Sequence, residues 1–420
     1  SLRFAKVAAR SAKPASDPVL LFAGGPGQAA TEAYPLVAPI FHEITEQRDI
    51  VLIDQRGTGG SNSLQCPYEL EDLTQAIDLD KVRESTKVCL DQLDSDPRFY
   101  TTTVAMHDYE KVRQLLGYDQ INLWGGSYGT RSAQVYQRLY PEHVRSMVLD
   151  SVAPPRLALG AEHASQLDRV LWHLIERCAD EEACAEAFPN LAQRYQDLVT
   201  EVTENPQTIT INDPKTGEPI ELLADRNTLA VGLRFMAYGS PSQSLIPLMI
   251  HNAAQGDLIP LLSTALNTVS GLTEQLSRGM ELSVVCAEDE PFLGDLTSEE
   301  DTLIGTVMAE AMQASCEVWP RGEVPDDFHQ ALKSDVPTLL LSGELDPVTP
   351  PSYARETAEQ FSQHQVIEVK GRGHLVSHHG CIPDLLAEFY VSADPASIDI
   401  SCVERIGPEP FFLSPTGPQP

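Results

Sequence analysis

Positive charge is what this chain is poorest in. Against 61 aspartates and glutamates stand only 29 lysines and arginines, a formal net charge of −32. That balance excludes a nucleic-acid partner, because a polyanion is repelled instead of being exchanged for counterions. Amine-bearing or cationic substrates would be drawn in, or the acidity serves solubility alone. Long apolar runs are missing too, and nothing approaches the roughly eighteen residues a membrane span needs. No Cys-x-x-Cys is matched by a second one, so no zinc site is expected. No Lys-Ser or Lys-Thr pair follows the glycine-rich loop at Gly24-Gly25-Pro26-Gly27, which argues against a phosphate cradle there. The first residue is Ser1, not methionine, and a signal peptide or other leading segment is expected to have been removed.

What is present is enough for a large folded unit. A chain of 420 residues, 42% of them hydrophobic, suffices for one α/β domain with an inserted second unit. The eight cysteines fall in four sequence-local couples: Cys66 and Cys89, Cys178 and Cys184, Cys286 and Cys316, Cys381 and Cys402. Closure within each couple keeps every loop short, and it implies an oxidising compartment: periplasm, cell surface or medium.

The chain is organised around Ile121 to Thr130. A short apolar run ends in Gly125-Gly126-Ser127-Tyr128-Gly129, and the residues from Arg131 to Tyr140 have helical spacing. Strand, sharp turn and helix form the context of a nucleophile elbow, in which glycines two places either side of the serine allow neighbouring chain to pass close. The helix N-terminus favours negative charge developing beside Ser127.

Around it the pattern alternates as in a parallel sheet. Buried strands are expected at Val19 to Ala23, Asp49 to Asp54, Ser146 to Asp150, Pro337 to Leu341 and Gln365 to Val369, with a weak edge strand at Leu2 to Ala9. A helix is expected from Thr102 to Leu116, stopped by Gly117. Cys66 to Pro97 reads as an inserted excursion. Residues 1–155 and 335–407 thus make the α/β core, and 156–334 form a mainly helical cap with one hairpin around Pro214-Lys215-Thr216-Gly217. Residues 408–420, rich in proline, read as a loose tail.

Three loops at one sheet end carry chemistry. A serine hydroxyl needs a base within reach and a carboxylate to hold that base in the right tautomer. Ser127, Asp346 and His374 supply these in the order Ser, Asp, His. The glycine-rich loop after the first buried strand can bring a backbone N–H to a reacting oxygen, and with Pro26 lacking one, Gly25 is the candidate donor beside Tyr128. Asp54 and Arg56 are read as structural. His378 and His379 follow His374 closely, yet no third ligand stands near and Cys381 is better used in a disulfide, so neither metal nor cofactor is expected.

Ala23-Gly24-Gly25-Pro26-Gly27, Asp54-Gln55-Arg56-Gly57, Gly125-Gly126-Ser127-Tyr128-Gly129-Thr130, Gly343-Glu344-Leu345-Asp346-Pro347 and Gly371-Arg372-Gly373-His374 together resemble the proline iminopeptidase family of serine peptidases, nearest its secreted tripeptidyl aminopeptidase-like branch. The resemblance covers about residues 19–155 and 335–402; the helical insert agrees only in placement. It implies the α/β-hydrolase fold and release of residues or short peptides from a free N-terminus, with cap carboxylates receiving the α-amine. Of these, Glu288 and Asp289, in Val284-Val285-Cys286-Ala287-Glu288-Asp289-Glu290, are the candidates; the alternative is a solvated acidic turn. The family commonly has histidine where Ala23 stands, which bears on the shape of the oxyanion loop and not on the triad. A carboxylesterase uses the same triad and is the competing activity. A catalytically dead binding protein would have lost a triad member, and none is lost.

Overall fold

The structure, a computed structural model, describes residues 1–66, 77–213 and 216–418. At its centre lies a seven-stranded sheet formed by β1 (Phe4–Val7), β2 (Val19–Phe22), β3 (Ile50–Ile53), β4 (Ile121–Gly126), β5 (Val144–Asp150), β8 (Thr338–Gly343) and β9 (His364–Val369), in the order β1-β3-β2-β4-β5-β8-β9. All neighbours run parallel except β1, which pairs antiparallel with β3 at the edge. Every residue of β2, β3, β4 and β8 is buried, because helices cover both faces and no strand residue is left to meet water.

On one face Tyr109 and Tyr136, from helices Thr102–Leu116 and Tyr128–Leu139, pack against Phe22 and Leu149. On the other, Phe41 and the helix Ile382–Ser392 pack Leu386 and Phe389 against Leu52, Trp124 and Leu341. This is the doubly wound α/β-hydrolase arrangement expected from the sequence. Gly117 closes its helix in the left-handed conformation at φ 75°. The helix Tyr128–Leu139 begins three residues before its sequence pattern does, since the elbow turns directly into it.

Between β5 and β8 the chain leaves the sheet. Helices His163–Asp180, Leu191–Glu204, Arg226–Met236, Ile246–Ala253 and Ile259–Gln275 gather around Leu167, Leu171, Leu233 and Leu261. The hairpin β6 (Gln207–Asn212) and β7 (Pro219–Ala224) closes one side; Pro214 and Lys215 of its turn lie outside the described residues, as do residues 67–76 of the excursion after Cys66. The described remainder of that excursion is a helix, Leu79–Asp91, capped by the Asp78 side chain.

All four cysteine couples close as disulfides: Cys66 with Cys89, Cys178 with Cys184, Cys286 with Cys316, and Cys381 with Cys402. One expectation is corrected. The segment after 408 is not loose where it is described, because Phe411 (2% exposed) sinks into the helical core under the Arg177 guanidinium, 3.6 Å above its ring. The Phe412 N–H also donates to the Ser244 carbonyl. Composition is a poor guide here, since one aromatic anchor outweighs several prolines.

Candidate active site

Ser127 sits between β4 and its helix with φ 56° and ψ −125°, a conformation that costs a non-glycine residue energy and persists only where surroundings enforce it. The enforcement is visible at the flanking glycines. A Cβ on Gly125 would lie 2.4 Å from the Gly129 carbonyl oxygen, and one on Gly129 would lie 2.1 Å from that of Phe22. Only glycine lets β4, its helix and β2 approach so closely, and this approach lifts Ser127 above the sheet edge.

Asp346 follows β8. Its buried carboxylate accepts the Val348 and Thr349 N–H groups at 2.9 Å and the Thr349 hydroxyl at 2.8 Å, and it receives His374 Nδ1–H at 2.8 Å. With Nδ1 donating to Asp346, the lone pair of Nε2 is left free. Burial works to lower the His374 pKa, but the Asp346 charge and hydrogen bond outweigh it and raise the value above the usual 6.5. Burial works to raise the Asp346 pKa, but the His374 charge together with the hydrogen bonds from His374, Thr349 and Val348 holds it below its ordinary value. Ser127 Oγ makes no hydrogen bond among the described residues, and catalytic contacts of this kind often tighten only when substrate arrives.

The histidine loop is tied to the elbow by a residue to which the sequence reading assigned no role. Asp150 ends β5; its carbonyl accepts Ser127 N–H at 2.9 Å, and its carboxylate accepts Val376 N–H at 3.0 Å and Ser377 N–H at 2.8 Å. Ser151 Oγ takes Leu375 N–H at 2.8 Å. Ser127, Ser151 and Leu375 all have positive φ, so strain collects where these three loops meet. Burial raises the Asp150 pKa. An acid ending an apolar strand at the triad end of the sheet was the available signal.

Gly24, the residue before Gly25, lies beside Ser127: a Cβ on Gly24 would be 3.4 Å from that of the serine. At φ 106° Gly25 needs to be glycine, and its N–H has no partner among the described residues. Tyr128 opens its helix, so its N–H has no carbonyl inside the helix to bond. Both N–H groups are therefore without a partner among the described residues.

The chain matches the family described as alpha/beta hydrolase fold over residues 17–208, and that described as TAP-like protein over residues 301–402. It has the α/β-hydrolase fold. Among its relatives, the serine protease Hip1 of Mycobacterium tuberculosis is 23% identical, covering 90% of this chain and 79% of that one. The tripeptidyl aminopeptidase of Streptomyces coelicolor is 22% identical over 92% of this chain and 76% of its own length. A proline iminopeptidase of Neisseria gonorrhoeae is 30% identical over a shorter stretch, 34% of each chain.

In this hydrolase the two cap acids end the helix Arg278–Glu288 and lie behind the elbow, both 0% exposed. That burial corrects the reading of the segment as a solvated turn. Glu288 accepts Thr102 N–H at 2.6 Å and its hydroxyl at 2.7 Å, and the Thr102 hydroxyl also contacts the Tyr128 hydroxyl at 2.6 Å. Asp289 pairs with Arg131 at 2.8 Å and accepts Leu159 N–H, while its Oδ2 has no partner. Burial pushes Glu288 from its ordinary 4.5 up to about 7, and Asp289 is raised for the same reason.

Asp54 and Arg56 are structural, as expected. Asp54 accepts Thr31 and Gly60 N–H groups, and Arg56 grips Asp108 through two bonds. The His378 and His379 rings meet at a tilt of 38°, their centroids 3.9 Å apart.

Proposed function

We propose that this hydrolase is a serine aminopeptidase that releases N-terminal residues or short peptides through an acyl-enzyme. Ser127 Oγ attacks the scissile carbonyl carbon while His374 Nε2 takes its proton; Gly25 and Tyr128 N–H groups receive the oxyanion. The C–N bond breaks as His374 returns the proton to the leaving amine. Water then attacks the ester, giving its proton to His374, and Ser127 is restored. The observation carrying the reading is the His374–Asp346 pair, in a chain that keeps Ser127 at its elbow and whose relatives, over nine-tenths of its length, are named for peptide hydrolysis.

For the substrate's free amine we propose Glu288 and Asp289. With both acids ionised, Arg131 leaves the trio one negative charge in excess, and Asp289 Oδ2 is an acceptor without a donor. The competing reading, a carboxylesterase whose two acids merely clasp the cap helix to the core, is favoured by their complete burial and their existing bonds. The four disulfides support an extracytoplasmic location, periplasmic or secreted.

The test is hydrolysis of aminoacyl and tripeptidyl p-nitroanilides with free and N-acetylated termini, beside p-nitrophenyl butyrate. Loss of a hydrogen bond to a charged group costs about 1.5–3 kcal/mol, so free-amine substrates should lead by about ten- to a hundredfold in kcat/KM. Equal rates on the two forms, or hydrolysis of the ester alone, remove the aminopeptidase reading.

A further inference from the structure

Four arginines are less than a tenth exposed: Arg48, Arg113, Arg131 and Arg234. Three have a carboxylate: Arg48 pairs with Asp17, Arg113 with Glu110 and Arg131 with Asp289. Arg234, 6% exposed in the helix Arg226–Met236, has none among the described residues. An unpaired buried charge is costly, and in a chain of net charge −32 acidic partners are abundant, so its isolation calls for a ligand.

Its surroundings are those of the catalytic histidine. Arg234 Nη2 donates to His163 Nδ1 at 3.1 Å and to the Tyr238 hydroxyl at 3.3 Å, and its Nε and Nη1 are buried without partners. The Tyr238 ring meets His374 edge-on with centroids 5.4 Å apart, and the Tyr238 carbonyl accepts His374 N–H at 2.7 Å. A guanidinium can only donate, so His163 Nδ1 must be the unprotonated nitrogen and Nε2 carries the hydrogen. That Nε2–H is also buried and unpartnered. Burial, then Arg234 and His374, hold the His163 pKa well below 6.5, so the imidazole is neutral. The group therefore offers donors on Arg234 Nε, Arg234 Nη1 and His163 Nε2, with no acceptor left over.

We propose that Arg234, assisted by His163 and Tyr238, is a carboxylate-binding subsite next to the triad and selects substrates that carry a carboxylate there. A carboxylate supplies the missing counter-charge and is acceptor-only, matching a set of donors. In a peptide it comes either from an acidic side chain on the released residues or from the C-terminal carboxylate of a short peptide. The identity of the substrate rests on the peptidase reading; the existence of the subsite does not.

The experiment compares wild type, Arg234→Gln and Arg234→Lys. One arm uses tripeptidyl p-nitroanilides with Glu or Gln at each position in turn; the other uses tetrapeptides as free acids or C-terminal amides. In one arm the wild type should prefer the carboxylate form by at least about tenfold in kcat/KM, the worth of a charge-assisted hydrogen bond, expressed mainly in KM. Arg234→Gln should bring that ratio to about one, and Arg234→Lys should keep part of it. The arm that responds names the source. No preference in either wild-type arm, or the same preference in Arg234→Gln, overturns the subsite. If no peptide is cleaved at all, the peptidase reading fails separately, and p-nitrophenyl butyrate hydrolysis decides. Glutarate should then inhibit wild type competitively and glutaramide should not; equal effects of the two overturn the proposal even where Arg234→Gln does not fold.

Discussion

Replacing Glu288 by glutamine should change how stability depends on pH more than how large it is. The folded-state pKa is about 7 against an ordinary 4.5, with burial as the leading cause. A carboxyl group whose pKa is raised on folding contributes stability that is fully present below the unfolded value and is lost as pH rises through the folded one. A shift of this size corresponds to about 3 kcal/mol, nearly all of it lost between about pH 4.5 and about pH 8. Glutamine is uncharged throughout, and it can still accept Thr102 N–H while its amide donates to the threonine hydroxyl. The assay is urea unfolding of both proteins across that range, reading the difference in unfolding free energy. It should move in favour of Glu288→Gln by about 3 kcal/mol from the acid to the alkaline end. Parallel curves would show that Glu288 titrates as an ordinary carboxylate and would remove its raised pKa.

Ser127→Ala should fold normally and lose several orders of magnitude in turnover, and retention of even a tenth of wild-type activity would sink the assignment. Asp150→Asn removes one of the charges that raise His374, so the acid limb of kcat/KM should move to lower pH, and an unmoved limb would confine Asp150 to holding the loop. Arg131→Met strands Asp289 without its counter-ion, at about 3–5 kcal/mol near neutral pH, and Asp289→Asn in the same chain should recover part; no loss in the single variant would contradict the pairing. Thiol titration of the denatured, unreduced protein should find no free thiol, because all eight cysteines are paired, and two or more would contradict the disulfide framework.

What the sequence determined by itself was whatever depends on local pattern and order. The run Ile121 to Thr130 combines an apolar strand, two obligatory glycines and a helix, and those local rules leave one shape for the turn at Ser127. Asp346 and His374 were legible because each follows a strand of a parallel sheet, and parallel strands put their ends, and the loops after them, on one side. The cysteine couples were legible because short loops close easily. Tertiary structure alone decided the rest. Neighbouring acids on one helix end, Glu288 and Asp289, took different partners from segments far along the chain, Thr102 for one and Arg131 for the other. Phe411 found its place through Arg177 and a core assembled from distant helices. Asp150 and Arg234 carry no motif: one matters because its carbonyl holds the elbow and its carboxylate the histidine loop, the other because folding brought no acid to it among the described residues. Pairing and desolvation are properties of a residue's neighbours in space, and periodicity along the chain does not encode them.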